Sequence, residues 1–203
     1  LSEEVRIPLL VGAPDYTYGQ NGEPRYYNAV FLFRPQVGEE QNYYKIQLAP
    51  SQRGYFDERL PILKRINLGE ADFSPGRRLT LFNSGKGHFA ALICFEAIFP
   101  NLVRAFVNRG ADFLVNVTND ARFGRTSGPF QHVGIAKFRA VENCISIARC
   151  ANTGISFFYD PYGRTIAQTR LFTRKSLVLD LPQGRRGYST PNGGNGFPSS
   201  VWS

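Results

Sequence analysis

Apolar residues fall in short runs along this chain, separated by Gly, Pro and polar clusters. That pattern predicts strands and short helices packed in layers. The most informative run is Ala90-Ala91-Leu92-Ile93, which leads directly into Cys94. Four apolar residues in a row predict a strand buried on both faces, and we place it over 88–94. Pro100 suits the first turn of a helix, and 101–109 carries an amphipathic pattern that stops at Gly110. Cys94 is therefore expected between a strand end and a helix start. A side chain there is lifted out of the sheet, with helix N–H groups turned toward it.

The other runs extend the pattern in both directions. Strands are expected over 7–12 (buried), 26–33, 42–48, 78–83, 111–118, 144–150, 155–159, 164–168 and 176–181. The Ser84-Gly85-Lys86-Gly87 stretch reads as a hairpin turn, and 15–25 as a polar loop. A helix is predicted over 129–143, a helix tail over 1–6, and a short helix near 60–67 within an otherwise irregular 51–76. Loops as long as 51–76 inside a compact domain are usually functional. From 183 onward Gly, Ser, Pro and Asn dominate and periodicity is lost. The expected organisation is one domain over 1–182 and an irregular or disordered tail over 183–203. Strands alternating with helices, but with hairpins mixed in, favour an α/β layered domain with a mixed sheet.

Composition narrows the function classes. The net charge is +8, yet Lys and Arg are scattered, with pairs only at Arg77-Arg78, Arg174-Lys175 and Arg185-Arg186. A nucleic-acid binder would show a basic face or stripe, so no nucleic-acid partner is expected. An anionic lipid surface would suit the charge. No apolar run reaches the roughly 18 residues that a membrane span requires. Three cysteines without a CxxC and two distant histidines give neither a disulfide framework nor a metal site, and no cofactor is expected.

Cys94 is either an inert buried thiol or a nucleophile. A nucleophile needs a proton acceptor, an oxyanion donor and an orienting group. His88 lies six residues upstream on the same strand, roughly 20 Å away if the strand is straight. His132 opens a helix and reads as a structural hydrogen-bonding residue. A Cys–His pair is thus disfavoured. Lys45 sits among apolar strand residues, between Tyr44 and Ile46, and is either snorkelling or deliberately buried. A lysine close to Cys94 would favour the thiolate and a tetrahedral oxyanion, with the Phe95 N–H as second donor. Glu96 would orient the lysine or the entering helix, or is simply an acid favoured near a helix N-terminus.

Further segments carry a resemblance. They are Pro8-Leu9-Leu10-Val11-Gly12, Tyr27-Asn28-Ala29, Tyr44-Lys45, Phe73-Ser74-Pro75-Gly76 and Ile93-Cys94-Phe95-Glu96. The most specific is Asn116-Val117-Thr118-Asn119-Asp120-Ala121-Arg122-Phe123-Gly124, continued by Ser127-Gly128-Pro129-Phe130-Gln131-His132 and Phe138-Arg139-Ala140-Val141-Glu142. Asn152-Thr153-Gly154-Ile155-Ser156 and Asp160-Pro161-Tyr162-Gly163-Arg164 complete the series. Over residues 5–182 the chain resembles the nitrilase (carbon–nitrogen hydrolase) superfamily, in its apolipoprotein N-acyltransferase branch.

The resemblance implies an αββα sandwich with mixed sheets, incomplete at its N-terminal side, and a Glu–Lys–Cys triad. Lys45 and Cys94 match two members. Glu96 matches the acid that follows the cysteine, and Asn119 and Phe123 fall in a substrate loop. The general-base glutamate of the family lies upstream of this chain's first residue, so negligible turnover is expected of the 203 residues alone. Arg53-Gly54-Tyr55 replaces a Gly-Glu-Tyr motif, for which Glu58 is a possible substitute, and Arg122 replaces an aromatic. The implied reaction moves an acyl chain from a phospholipid, through a Cys94 thioester, to the lipid-modified N-terminal cysteine of an apolipoprotein. The implied setting is the periplasmic face of a bacterial inner membrane. The alternatives are a soluble nitrilase-like amidase and an inactive remnant.

Overall fold

The computed structural model describes residues 7–35, 41–48 and 73–182, with the side chain of Arg122 excepted. The expectations for 1–6, for 49–72 (including Arg53, Phe56, Glu58 and the helix near 60–67) and for the tail over 183–203 lie outside the described residues.

Two sheets form the frame. The smaller has strand order β1-β2-β3, built from β1 (Leu9–Tyr18), β2 (Pro24–Phe33) and β3 (Gln41–Tyr44), all antiparallel. The larger holds six strands in sequence order: β4 (Leu81–Asn83), β5 (His88–Ile93), β6 (Phe113–Asn119), β7 (Ser146–Asn152), β8 (Phe157–Tyr159) and β9 (Thr165–Gln168). Its centre, β5-β6-β7, is parallel and its flanks are antiparallel hairpins. This is the mixed α/β arrangement that the alternating pattern implied. Helix α1 (Pro100–Asn108) returns the chain from β5 to β6, and α2 (Gly128–Asn143) from β6 to β7. Pro100 opens α1 as predicted, and Gly110 follows its end at φ +104°.

The core joins the two sheets and both helices. Val30, Leu32 and Tyr43 from the small sheet cluster with Phe82, Ala91, Leu92 and Leu114 from the large one. Val103 and Phe106 of α1 and Ala136 and Ala140 of α2 complete it. Tyr43 meets Phe106 edge-on at 5.6 Å. β5 is buried from Phe89 to Ile93, as its unbroken apolar run requires.

Three expectations need correction. The buried strand over 7–12 and the polar loop after it are one long arm of a hairpin, with only 19–23 as its turn. Tyr16, Thr17 and Tyr18 are good strand formers, and an edge position tolerates Pro14 inside the strand. Residues 176–181 form no strand: Val178 is 92% exposed, and the attachment nearby is a hydrogen bond from Ser146 Oγ to the Pro182 carbonyl. Finally, β3 ends at Tyr44, so Lys45 stands just past the strand rather than within it.

Candidate active site

Cys94 is the first residue of a five-residue 3₁₀ segment, Cys94–Ile98, that separates β5 from α1. Its φ is +54°, a region costing an L-residue about 1–2 kcal/mol. The turn raises the half-buried Cys94 off the end of the parallel strands, where open α/β sheets bind their ligands.

Glu96 closes this turn and ties it to the other sheet. Its side chain is completely buried and accepts four hydrogen bonds. Oε2 takes the Ile93 N–H at 2.8 Å, and Oε1 takes the Tyr43 hydroxyl at 2.8 Å and the N–H groups of Ile46 and Gln47 at 2.7 and 3.0 Å. Burial pushes its carboxyl above the ordinary range, against the pull of these donors. Those partners flank Lys45 on both sides. Lys45 itself is 1% exposed, so its aliphatic stem does not snorkel to solvent. One carboxylate thus brings the backbone around Lys45 and the backbone around Cys94 to the same end of the sandwich.

Behind the turn lies a second polar group of side chains. The Cys94 carbonyl accepts from Asn116 Nδ2 at 3.2 Å and from His132 Nε2 at 3.1 Å. Arg149 Nη1 donates to Asn116 Oδ1 at 2.7 Å, and its Nη2 to Asp120 Oδ2 at 2.6 Å. Nη2 also lies 3.1 Å from His132 Nδ1. Asp120 Oδ1 accepts from Thr118 Oγ1 at 3.0 Å and stands 3.5 Å from His132 Nδ1, too long to rival the arginine contact. All four side chains are buried. Burial alone would raise Asp120, but the Arg149 guanidinium and the Thr118 hydroxyl beside it hold it below the usual carboxylate range.

His132 bears out its structural reading. Asn116, Asp120 and Arg149 were not singled out by their chemistry, although Asn116 and Arg149 left a signal. Each is a polar residue interrupting an apolar strand, in Leu114-Val115-Asn116-Val117 and Ile147-Ala148-Arg149-Cys150. Buried strands admit such residues only when they are partnered. The two loop residues divide. Phe123 packs over Phe95 at 5.9 Å and over His132 at 6.3 Å, beside the cysteine turn. Asn119 is exposed, and its Oδ1 accepts the Ala121 N–H at 3.1 Å, shaping the loop from within. Clefts of about 360 and 470 Å³ open along 78–81 and beside Tyr44 and Gly76. Cys94 lines neither.

A profile of the carbon–nitrogen hydrolase family matches residues 1–187. The chain belongs to the carbon–nitrogen hydrolase family. Within this family it is 40% identical over 186 residues to an apolipoprotein N-acyltransferase of Geobacter metallireducens, covering 91% of this chain and 35% of the relative. An apolipoprotein N-acyltransferase of Chlorobaculum tepidum is 39% identical, over 86% of this chain and 37% of its own. The chain therefore spans about a third of the length of these relatives. Among solved structures, Nit3 of Saccharomyces cerevisiae, a nitrilase-superfamily member, superposes with a TM-score of 0.64 at 21% identity, over 85% of this chain and 59% of that one. An amidase from Nesterenkonia sp. gives 0.60 at 24% identity, over 84% and 59%. These likenesses confirm the nitrilase-like α/β fold of this carbon–nitrogen hydrolase.

Proposed function

We propose that this chain is the catalytic part of an N-acyltransferase that works through a thioester on Cys94. The carrying observation is the joint geometry of Cys94 and Lys45. The cysteine sits at φ +54° on a turn, and that turn's Glu96 grips the residues on either side of a buried lysine. The names of the curated relatives support an acyl-transfer reading over plain amide hydrolysis.

In this reading Cys94 Sγ attacks an ester carbonyl of a phospholipid, and its proton passes to the family's general-base glutamate. The Lys45 ammonium and the Phe95 N–H face the developing oxyanion. The C–O bond breaks and the lysophospholipid leaves as an alcohol, carrying that proton. The amino group of an apolipoprotein's lipid-modified N-terminal cysteine then attacks the thioester carbonyl. The C–S bond breaks and the thiol is restored. Two half-reactions on one sulfur give ping-pong kinetics. Phe123, beside the turn, is an apolar wall suited to the acyl chain. Both substrates place the protein at a membrane, on the periplasmic face of the bacterial inner membrane. Among the described residues no helix is long and apolar enough to cross one.

The test is to incubate the protein, extended by the upstream segment that carries the family's general-base glutamate, with vesicles of phosphatidylethanolamine and phosphatidylglycerol carrying labelled acyl chains. Peptide mass spectrometry should find a hydroxylamine-labile acyl group on Cys94. Cys94→Ala should abolish it, and Lys45→Ala should slow its formation by about 100-fold or more. Hydrolysis of small amides without any acylation from phospholipid would overturn the proposal in favour of an amidase.

A further inference from the structure

The buried group behind Cys94 has a geometry that simple core satisfaction does not require. Two separate side chains, from β6 and α2, converge on one backbone carbonyl, that of Cys94 itself. No cis peptide bond occurs among the described residues, so the C=O and N–H of the Cys94–Phe95 peptide point in opposite directions. Pulling the carbonyl inward onto Asn116 and His132 therefore turns the Phe95 N–H outward, away from the buried group.

The tautomer of His132 follows from its partners. A carbonyl oxygen carries no proton, so Nε2 must hold one in order to donate to Cys94. Arg149 Nη2 faces Nδ1 at 3.1 Å and can only donate, so Nδ1 must keep its lone pair. Among the described residues, Asp120 Oδ1, at 3.5 Å from Nδ1, is the facing group that would favour a second proton. Asp120 is instead engaged by Arg149 at 2.6 Å and by Thr118 at 3.0 Å. One flat face of the ring stacks on Phe95 at 5.1 Å, and Phe123 lies beside this pair, 6.3 Å from the His132 ring and steeply tilted to it.

We propose that Asn116 and His132 are positioning residues that aim the Phe95 N–H at the oxyanion formed on Cys94, and that Arg149, anchored by Asp120, holds His132 in the one neutral tautomer able to do so. The inference rests on the reading of Cys94 as the nucleophile. It adds that the oxyanion donor is oriented from behind, by side chains that never touch substrate.

Two reactions of the same sulfur separate this role from general support of the fold. Alkylation by iodoacetamide displaces iodide at a saturated carbon and forms no oxyanion. Acylation by a p-nitrophenyl ester passes through a tetrahedral oxyanion and releases p-nitrophenolate. His132→Phe keeps a flat ring against Phe95 but removes the donor. It should slow acylation of Cys94 by roughly 10- to 100-fold, less than outright loss of an oxyanion donor because the Phe95 N–H is misaligned rather than removed, and leave alkylation within about 3-fold. His132→Gln, which keeps an N–H donor, should recover most of the acylation rate. Both rates are read by mass spectrometry of the Cys94 peptide, in protein that also carries the upstream segment with the family's general-base glutamate. Parallel loss of both, or loss of neither, would overturn the proposal. Independently, ¹⁵N NMR of His132 at neutral pH should show the Nε2–H tautomer, and an Nδ1–H or doubly protonated ring would overturn it. If wild-type Cys94 is alkylated but refuses the ester, the nucleophile reading fails, and the NMR result alone decides whether the tautomer is held as described.

Discussion

Asp120 and Glu96 are both enclosed carboxylates, yet they respond to acid in opposite senses. Glu96 has its value raised by burial, so its ionisation opposes folding, and that penalty grows as pH rises through the folded value. Asp120 has its value lowered from the ordinary 3.8. Its stabilisation is therefore complete above 3.8 and is lost as pH falls below that through the folded value. Asp120→Asn leaves the Arg149 guanidinium buried without its counter-charge. We expect a loss of about 3–5 kcal/mol at pH 7 from urea unfolding, and a wild-type-to-variant gap that narrows below about pH 4. A gap constant with pH would mean that Asp120 is not the charged anchor of Arg149. Cys94 carries strain of a different kind, since only its backbone angle is unfavourable. Glu96, which takes the Ile93 N–H, and the two donors on the Cys94 carbonyl together hold that angle.

At the level of elements, the site depends on how closely a connecting segment approaches β3. The Ser74 N–H donates to the Tyr26 carbonyl at 2.7 Å, and the Gly76 N–H to the Lys45 carbonyl at 2.8 Å. A Cβ on Gly76 would stand 2.2 Å from the Tyr44 carbonyl oxygen, backbone that has no room to yield. Gly76→Ala should therefore push this segment away from Lys45. It should cost about 1–3 kcal/mol, with a matching fall in Cys94 acylation. Gly134, within α2, is the control: nothing lies within 4 Å of its Cβ position. Gly134→Ala should raise stability by about 0.5–1 kcal/mol through helix propensity and leave acylation unchanged. Equal behaviour of the two variants in thermal melts would refute the close-approach argument. α1 and the β4–β5 hairpin were legible beforehand because Pro100, Gly110 and the Ser84–Gly87 turn act locally. The β1–β2 hairpin was not. Its arm over 13–18 pairs with 24–29, and nothing within the arm announces a partner strand across the turn.

Across the molecule, the two sheets share one core, so neither is expected to unfold alone. Leu32 of β2 is 2% exposed and clusters with residues of the large sheet. Leu32→Ala should cost about 2–5 kcal/mol. It should reduce hydrogen-exchange protection in β6 as much as in β2, within a single urea transition. Loss of protection confined to β1–β3 would show that the small sheet is an independent unit.

The residues themselves determined that β5 is a buried strand, where α1 and α2 begin and end to within a residue or two, and which cysteine stands at a strand end. Runs of apolar residues, Pro at a helix start and Gly after a helix end act over a few positions and need no distant partner. An ordered series of motifs also marked the family before any coordinates. Tertiary structure alone decided that 176–181 stays unpaired, that Lys45 is enclosed, and that Asn116, His132, Asp120 and Arg149 meet behind Cys94. The reason is physical: a hydrogen bond or an ion pair gains its value from desolvation and from a partner's position, and positions some 50 residues apart, such as 43 and 96, meet only when the sheets pack.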